Sequence, residues 1–255
     1  MVKAMRPLVL IVAAWFAISA VAQSQTGSGR YDQQIQREVT RALQSKEKWK
    51  GITAATDDGT VTLEGTAKVL IDKLDAGKKV SDLDHVQGVR NHVEVEGKVP
   101  DQQLQQQLAD KLRYDRVGYG ILFNALSVGV ENGVATVSGE VHDYPSRDSA
   151  LAIAETTPGV KEVIDDINVL PVSPMDDDIR IRVARAIYGN SQLSKYALDP
   201  QKPIRIVVDN GHVSLYGVVD SQMDRQIAVM QAKSVPNVFS VDDHLVVAGS
   251  QPGPK

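Results

Sequence analysis

The chain contains three copies of one short segment bracketed by glycines, and this repetition limits the fold more than any other feature. The copies are Gly59–Gly65, Gly133–Gly139 and Gly211–Gly217. Each copy follows a residue that favours turns: Asp58, Asn132 or Asn210. Asp-Gly and Asn-Gly predict a two-residue hairpin turn, because both turn positions need positive φ. Apolar residues then alternate, as at Val61 and Leu63, which is the period of a strand.

The repeated register extends well beyond the hairpin. Residues 59–95, 133–169 and 211–247 align without a gap. Small residues coincide at Ala76, Ala150 and Ala228, and valines coincide at Val86, Val160 and Val238. Such a fixed period indicates a tandem repeat. Glycines are expected to be structural where positive φ or close packing excludes a side chain, at Gly59, Gly65, Gly133, Gly139, Gly159, Gly211 and Gly217.

The first 22 residues predict a signal peptide. Lys3 and Arg6 precede an apolar run, Leu8–Ala22, that ends in the small-x-small sequence of a cleavage site. The run is shorter than the roughly 20 residues that a membrane-spanning helix needs, although an uncleaved anchor stays open as the alternative. Residues 23–30 are predicted to be a flexible leader, and residues 248–255 a disordered tail.

Each unit begins with an amphipathic helix. An aspartate stands three places before the first apolar helix position in every copy, at Asp32, Asp101 and Asp176. We expect these carboxylates to cap the helix N-termini. Second helices are predicted at about 67–82, 145–157 and 220–234.

The predicted fold class is α+β, with three tandem αββαβ units. Each unit is a mixed three-stranded sheet with two helices packed on one face, because the second helix must connect two parallel strands. The predicted repeats are 31–97, 101–170 and 175–247, joined by short linkers that contain proline.

The repeat resembles the BON domain. The resemblance rests on the first helix, the Asn/Asp-Gly hairpin, the closing glycine, and the runs Thr157–Val160 and Val235–Val238 before the last strand. Repeat 1 departs from this pattern, with Leu83–Val86 in the same register. The resemblance implies a binding module without catalytic activity, located in the periplasm or at the outer membrane, that is associated with envelope stress and binds phospholipid or protein partners.

The residues themselves predict no enzyme, cofactor or metal site. The chain has no cysteine, and its five histidines form no zinc-binding spacing. Acidic pairs such as 165–166 and 242–243 lack the spacing of a calcium loop and are expected to be solvated caps and turns. Without residues 1–22 the chain has 26 basic and 32 acidic residues, a balance that argues against nucleic-acid binding. No small-molecule substrate is predicted.

The candidate binding surface is the connection between the first helix and the first strand, where aromatic residues stand beside cations in all three repeats. The predicted residues are Lys48, Trp49, Lys50, Arg113, Tyr114, Arg116, Tyr119, Lys195 and Tyr196. Trp and Tyr favour the membrane interface, and Lys and Arg are attracted to anionic headgroups. The alternative is that the aromatics close the end of each small core.

These patterns predict an exported, periplasmic protein that binds anionic phospholipid in an envelope-stress or envelope-integrity role. The alternative is a periplasmic adaptor that binds an envelope protein through a sheet edge or a groove between repeats, without direct lipid binding. The oligomeric state, the repeat that binds and the identity of the partner stay open.

Overall fold

The computed structural model describes residues 29–115, 120–198 and 203–249. The predicted signal peptide and most of the predicted leader and tail lie outside these ranges, as do Arg116 and Tyr119.

Each repeat consists of a helix, a β-hairpin, a second helix and a final strand. Repeat 1 contains α1 (Asp32–Gln44), β1 (Ile52–Asp57), β2 (Thr60–Ala67), α2 (Leu70–Ser81), β3 (Gly88–Asn91) and β4 (Glu94–Val95). Repeat 2 contains α3 (Asp101–Arg113), the helical turn α4 (Gly120–Phe123), β5 (Ala125–Glu131), β6 (Val134–Val141), α5 (Tyr144–Glu155) and β7 (Glu162–Val169). Repeat 3 contains α6 (Pro174–Tyr188), the helical turn α7 (Lys195–Leu198), β8 (Arg205–Asp209), β9 (His212–Val219), α8 (Gln222–Lys233) and β10 (Ser240–Val247).

The three sheets have one topology, which confirms the predicted fold class. The hairpin's second strand lies in the middle, antiparallel to the first strand and parallel to the last. In repeat 1 the last strand is interrupted between β3 and β4, but the pairing with β2 keeps the same offset on both sides. Alternate residues of each middle strand, such as Val61 and Leu63, are buried under the two helices.

The three hairpin turns have the predicted backbone conformation. The φ values of the two turn residues are 47° and 76° in repeat 1, 54° and 81° in repeat 2, and 48° and 78° in repeat 3, as a type I′ turn requires. All seven glycines predicted to be structural have positive φ. At Gly139, with φ of 118°, an added Cβ would lie 2.0 Å from the carbonyl oxygen of Ala125, so no side chain fits.

Asp32, Asp101 and Asp176 do not cap the helices in which they lie. The prediction that they are N-caps was wrong. Each carboxylate instead accepts two hydrogen bonds from the backbone N–H groups of the hairpin turn in its own repeat. Asp32 accepts from Asp58 and Gly59, Asp101 from Asn132 and Gly133, and Asp176 from Asn210 and Gly211, over 2.7–3.0 Å. The N-cap of α6 is Ser173, and neither α1 nor α3 has a side-chain cap. The aspartate therefore fastens the start of the first helix to the hairpin.

A second repeated contact ties the second helix to the last strand. Arg147 Nε donates to Asp165 at 2.9 Å, and Arg225 Nε donates to Asp243 at 2.8 Å. In repeat 1 the same place is taken by Asn91, whose amide donates to the carbonyl oxygen of a residue in α2. The expectation that these acidic pairs are solvated caps and turns was therefore wrong for Asp165 and Asp243, which lie within strands and pair with arginine.

Neighbouring repeats share core residues. Leu70, at the start of α2, is 4% exposed and packs into the core of repeat 2. Phe123, at the end of α4, is 8% exposed and packs into the core of repeat 3. Each junction thus buries a side chain that one repeat provides to the next.

Replacement of Asp176 by Asn tests the contact between helix and hairpin. One amide N–H group would then face a turn N–H in place of an oxygen, so we expect repeat 3 to lose about 2 kcal/mol of unfolding free energy. Urea unfolding followed by circular dichroism measures the change. The matched control is Asp178→Asn in the same helix, which removes only a surface pair with Arg182 and is expected to cost less than about 1 kcal/mol. Equal effects of the two substitutions would contradict the role given to Asp176.

Candidate functional site

The connection of repeat 1 folds inward onto the second helix. Glu47–Trp49 form a 3₁₀ turn, and Trp49 is only 4% exposed. The Trp49 indole N–H donates to the backbone oxygen of Asp72 at 3.0 Å. The Lys48 ammonium pairs with Asp72 at 3.2 Å and with Asp75 at 2.6 Å. Hydrogen bonding to Asp75 raises the pKa of Lys48 above its ordinary value, although burial opposes the shift.

The connection of repeat 3 folds inward in the same way. Tyr196 is 2% exposed, and its hydroxyl donates to Asp224 at 2.6 Å and accepts from the Asp220 backbone N–H at 2.7 Å. Lys195 pairs with both acids at 2.9 Å, and Gln192 donates to Asp224 at 3.1 Å. Burial would raise the pKa of Asp224, but the hydrogen bonds from Lys195, Tyr196 and Gln192 outweigh it and lower that pKa below its ordinary value.

The two connections that fold inward share a carboxylate at one register position of the second helix. The third residue of the second helix is Asp72 in repeat 1 and Asp224 in repeat 3, and both accept the lysine of the connection. The same position in repeat 2 is Ser146, whose backbone and hydroxyl both donate to Asp143 at the N-cap. Repeat 2 therefore has no carboxylate at the position that holds the cation in the other two repeats.

The connection of repeat 2 is arranged differently. Tyr114, directly after α3, is 46% exposed. The side chain of Arg113 is 37% exposed and pairs with Asp110, one turn back on the helix, at 3.4 Å. Further along the connection, Phe123 enters the core of repeat 3, where the guanidinium of Arg180 lies 5.8 Å from the ring centroid. The aromatic residue that this connection buries thus serves the next repeat, while Arg113 and Tyr114 stay at the surface.

The seven predicted binding residues that lie in the described ranges therefore do not form one type of site. Trp49 and Tyr196 are buried and contribute to closing their cores, which was the alternative reading of these aromatics. Lys48 and Lys195 are held in ion pairs with carboxylates, with 35% and 48% of their side chains exposed, and Lys50 is 60% exposed beside its partner Glu47. Only Arg113 and Tyr114 combine an exposed aromatic with an adjacent cation in the part of the connections that the structure describes.

Arg205 is a residue that the sequence pattern missed. It begins β8 and is half-buried, and its guanidinium donates to the carbonyl oxygen of Asn124 at 2.8 Å. Burial lowers the pKa of Arg205, and the positive charge of Arg113 adds to that shift against the influence of Tyr188. Arg205 and Arg113 line one cavity of about 240 Å³ between repeats 2 and 3. No sequence signal could reveal that Arg113 and Arg205 line one cavity, because this proximity depends on how the two repeats dock.

No three His, Asp or Glu side chains in 29–115, 120–198 and 203–249 come together in a way that could hold a metal ion. Within those ranges, no helix has both the length and the apolar character needed to cross a membrane.

The protein-family model described as "BON domain" matches residues 31–97, 100–171 and 176–249. The chain therefore belongs to the BON domain family, as the sequence resemblance indicated, and it carries three tandem copies. No curated protein matches the chain.

Three solved structures show partial similarity to the chain. The C-terminal domain of CdsD, the structural protein of the Type III secretion system of Chlamydia trachomatis, is 16% identical and covers 83% of this chain and 96% of its own, with a TM-score of 0.25. A second CdsD structure is also 16% identical, over 83% of this chain and 90% of its own, with a TM-score of 0.24. The PrgH periplasmic domain is 11% identical, over 79% of this chain and 96% of its own, with a TM-score of 0.21. At these TM-scores the likeness carries no information about partners or activity.

Replacement of Asp224 by Asn tests the closed connection of repeat 3. The pKa of Asp224 is lowered in the folded state, so its carboxylate stabilises the fold fully above the unfolded-state pKa of about 3.9 and loses that contribution as the pH falls through the folded-state pKa. At pH 7 we expect the variant to lose about 2 kcal/mol of unfolding free energy. The difference from the wild type should shrink as the pH falls below about 4.

Urea unfolding at pH 7 and pH 3 measures both parts of this expectation. The matched control is Asp220→Asn, which removes the other carboxylate that pairs with Lys195 but is far more exposed, with 47% of its side chain accessible against 2% for Asp224. A difference between Asp224→Asn and the wild type that stays constant with pH would contradict the account.

Proposed function

We propose that this chain is a non-catalytic, exported BON-repeat protein that binds anionic phospholipid through the connection of its second repeat. The observation that carries the proposal is the contrast among the three connections. In repeats 1 and 3 the lysine is paired with carboxylates of the second helix and the aromatic residue is buried. In repeat 2 Arg113 and the 46% exposed Tyr114 lie together at the surface.

The chemistry of these two side chains suits a membrane surface. The pair between Arg113 and Asp110 is exposed and spans 3.4 Å, and such surface pairs contribute only about 0–1 kcal/mol. A lipid phosphate can therefore replace Asp110 at little cost. A tyrosine ring favours the headgroup region, and each cation near an anionic surface contributes about 1 kcal/mol. The excess of acidic over basic residues opposes binding elsewhere on the chain, so binding is local, weak and sensitive to salt.

The predicted signal peptide and the membership of the BON family support a periplasmic location and a role in envelope stress or envelope integrity. Both the location and the role are part of the proposal.

A protein-binding adaptor is the second candidate, and exposed apolar residues at the sheet edges favour it. In the described ranges, β7 and β10 are paired on one side only. Ile164 on β7 and Val246 on β10 are 47% and 48% exposed, and Phe239, just before β10, is 69% exposed. An extended peptide could add to such an edge as a further strand.

Co-sedimentation with vesicles distinguishes the two candidates. Protein purified from cells that express the whole chain is mixed with phosphatidylglycerol-containing and with purely zwitterionic vesicles at low and moderate salt. We expect selective binding to the anionic vesicles that weakens with salt. Arg113→Glu should weaken it by about tenfold or more, because reversing one charge changes the attraction by roughly 2 kcal/mol. Tyr114→Ala should weaken it by a smaller factor.

Matched controls lie elsewhere on the surface. Arg37→Glu reverses an exposed arginine on α1, and Tyr144→Ala removes a tyrosine that is 68% exposed at the start of α5. Both controls should bind as the wild type does. Binding that is equally reduced by Arg37→Glu would contradict a local site in repeat 2, and no binding to either vesicle would favour the adaptor.

A further inference from the structure

The cavity between repeats 2 and 3 has an unusual electrostatic lining. It holds about 240 Å³ between the end of α3, strand β5 and the β8–β9 hairpin. Its charged lining residues are Arg113 and Arg205, and its apolar walls include Leu112, Leu126 and Val218. Among the residues known to line it, none is acidic. One arginine from each repeat thus lines the same partly apolar space.

Contacts between the two repeats hold Arg205 in its position at the cavity. Arg205 of repeat 3 donates to the carbonyl oxygen of Asn124 in repeat 2. Asn124 is only 3% exposed, and its side-chain oxygen accepts the backbone N–H of His142, so this anchor is itself fixed. Arg113 is the last residue of α3 and pairs with Asp110 of the same helix at 3.4 Å. The position of Arg205 is therefore determined by the junction and not by a flexible surface rotamer.

Two arginines that line one cavity repel each other, and a bound anion reduces that repulsion. The lowered pKa of Arg205 has this proximity to Arg113 among its causes. Guanidinium groups present several N–H donors in a planar fork that matches the oxygens of phosphate. A cavity of this volume has room for a phosphate group.

We propose that Arg113 and Arg205 form a binding site for a phosphate group, shared between repeats 2 and 3. The inference deepens the proposed function and rests on it for one point, namely that the phosphate belongs to a lipid headgroup; a soluble phosphate has the same chemistry. Because each repeat provides one arginine, the bound anion also stabilises the junction, since a ligand that binds only the docked arrangement favours it.

Titration of the ¹⁵N-labelled whole chain with inorganic phosphate at pH 7 and constant ionic strength tests the site, with chloride as the comparison anion. We expect saturable shifts of the arginine Nε–H signals with phosphate only. Arg205→Gln and Arg113→Gln should each weaken phosphate binding by about tenfold, the loss expected when a charge-assisted hydrogen bond is removed. Arg113→Gln breaks only a surface pair, so it keeps the test valid if Arg205→Gln disturbs the fold.

Arg182→Gln is the matched control, because Arg182 pairs with a helical aspartate and its side chain is 36% exposed, against 37% for Arg113. The control should leave phosphate binding unchanged. Absence of saturable phosphate binding, or an equal loss in all three variants, would overturn the proposal.

Vesicle binding by the same variants separates this site from the proposed function. If Arg205→Gln weakens binding to phosphatidylglycerol vesicles as well as to phosphate, the headgroup is the source of the phosphate. If it weakens only phosphate binding, the site stands with a soluble phosphate as ligand and the lipid source is overturned. Vesicle binding without phosphate binding would contradict the shared phosphate site but agree with the proposed function. Phosphate binding without vesicle binding would agree with the site but contradict the proposed lipid binding.

Discussion

Each repeat depends on a carboxylate at the start of its first helix that binds the two backbone N–H groups of its hairpin turn. A type I′ turn leaves these amides without partners in the sheet ladder, and a buried N–H without a partner is costly. Asp176, which is 3% exposed, makes this contact in repeat 3, and Asp32 and Asp101 repeat it. The contact fixes the N-terminal end of the helix against the hairpin of the same repeat.

The two connections that fold inward share a carboxylate at one position of the second helix, which repeat 2 lacks. A carboxylate at Asp72 or Asp224 binds the lysine of the connection, and the neighbouring aromatic residue packs beneath it. Repeat 2 has Ser146 at this position, and its Arg113 lies at the surface, where it lines a cavity shared with repeat 3. The two connections that complete their cores thus differ at this position from the connection that we propose as the ligand-binding one.

Much of the fold could be predicted from the sequence because its signals are local. Asp-Gly and Asn-Gly fix the turns, and the ungapped register fixes the strand order. The role of Asp176 could not be predicted, since a carboxylate at a helix start can serve either the helix or a distant turn. The burial of Tyr196 depends on Asp224, 28 residues further along the chain, and the approach of Arg205 to Arg113 depends on docking between repeats. The sequence pattern therefore predicted where the connections lie, but it could not predict which of them leaves its aromatic residue exposed to solvent.

Hydrogen–deuterium exchange of the protein, with and without phosphatidylglycerol vesicles, tests most directly the claim that the ligand-facing connection belongs to repeat 2. The account predicts that vesicles slow exchange in peptides covering 109–115 and 203–207. Peptides covering 46–51 and 191–198 should exchange at unchanged rates, because Trp49 and Tyr196 are already buried in the free protein. Protection in the peptides around Trp49 or Tyr196, without protection around Arg113, would contradict the account.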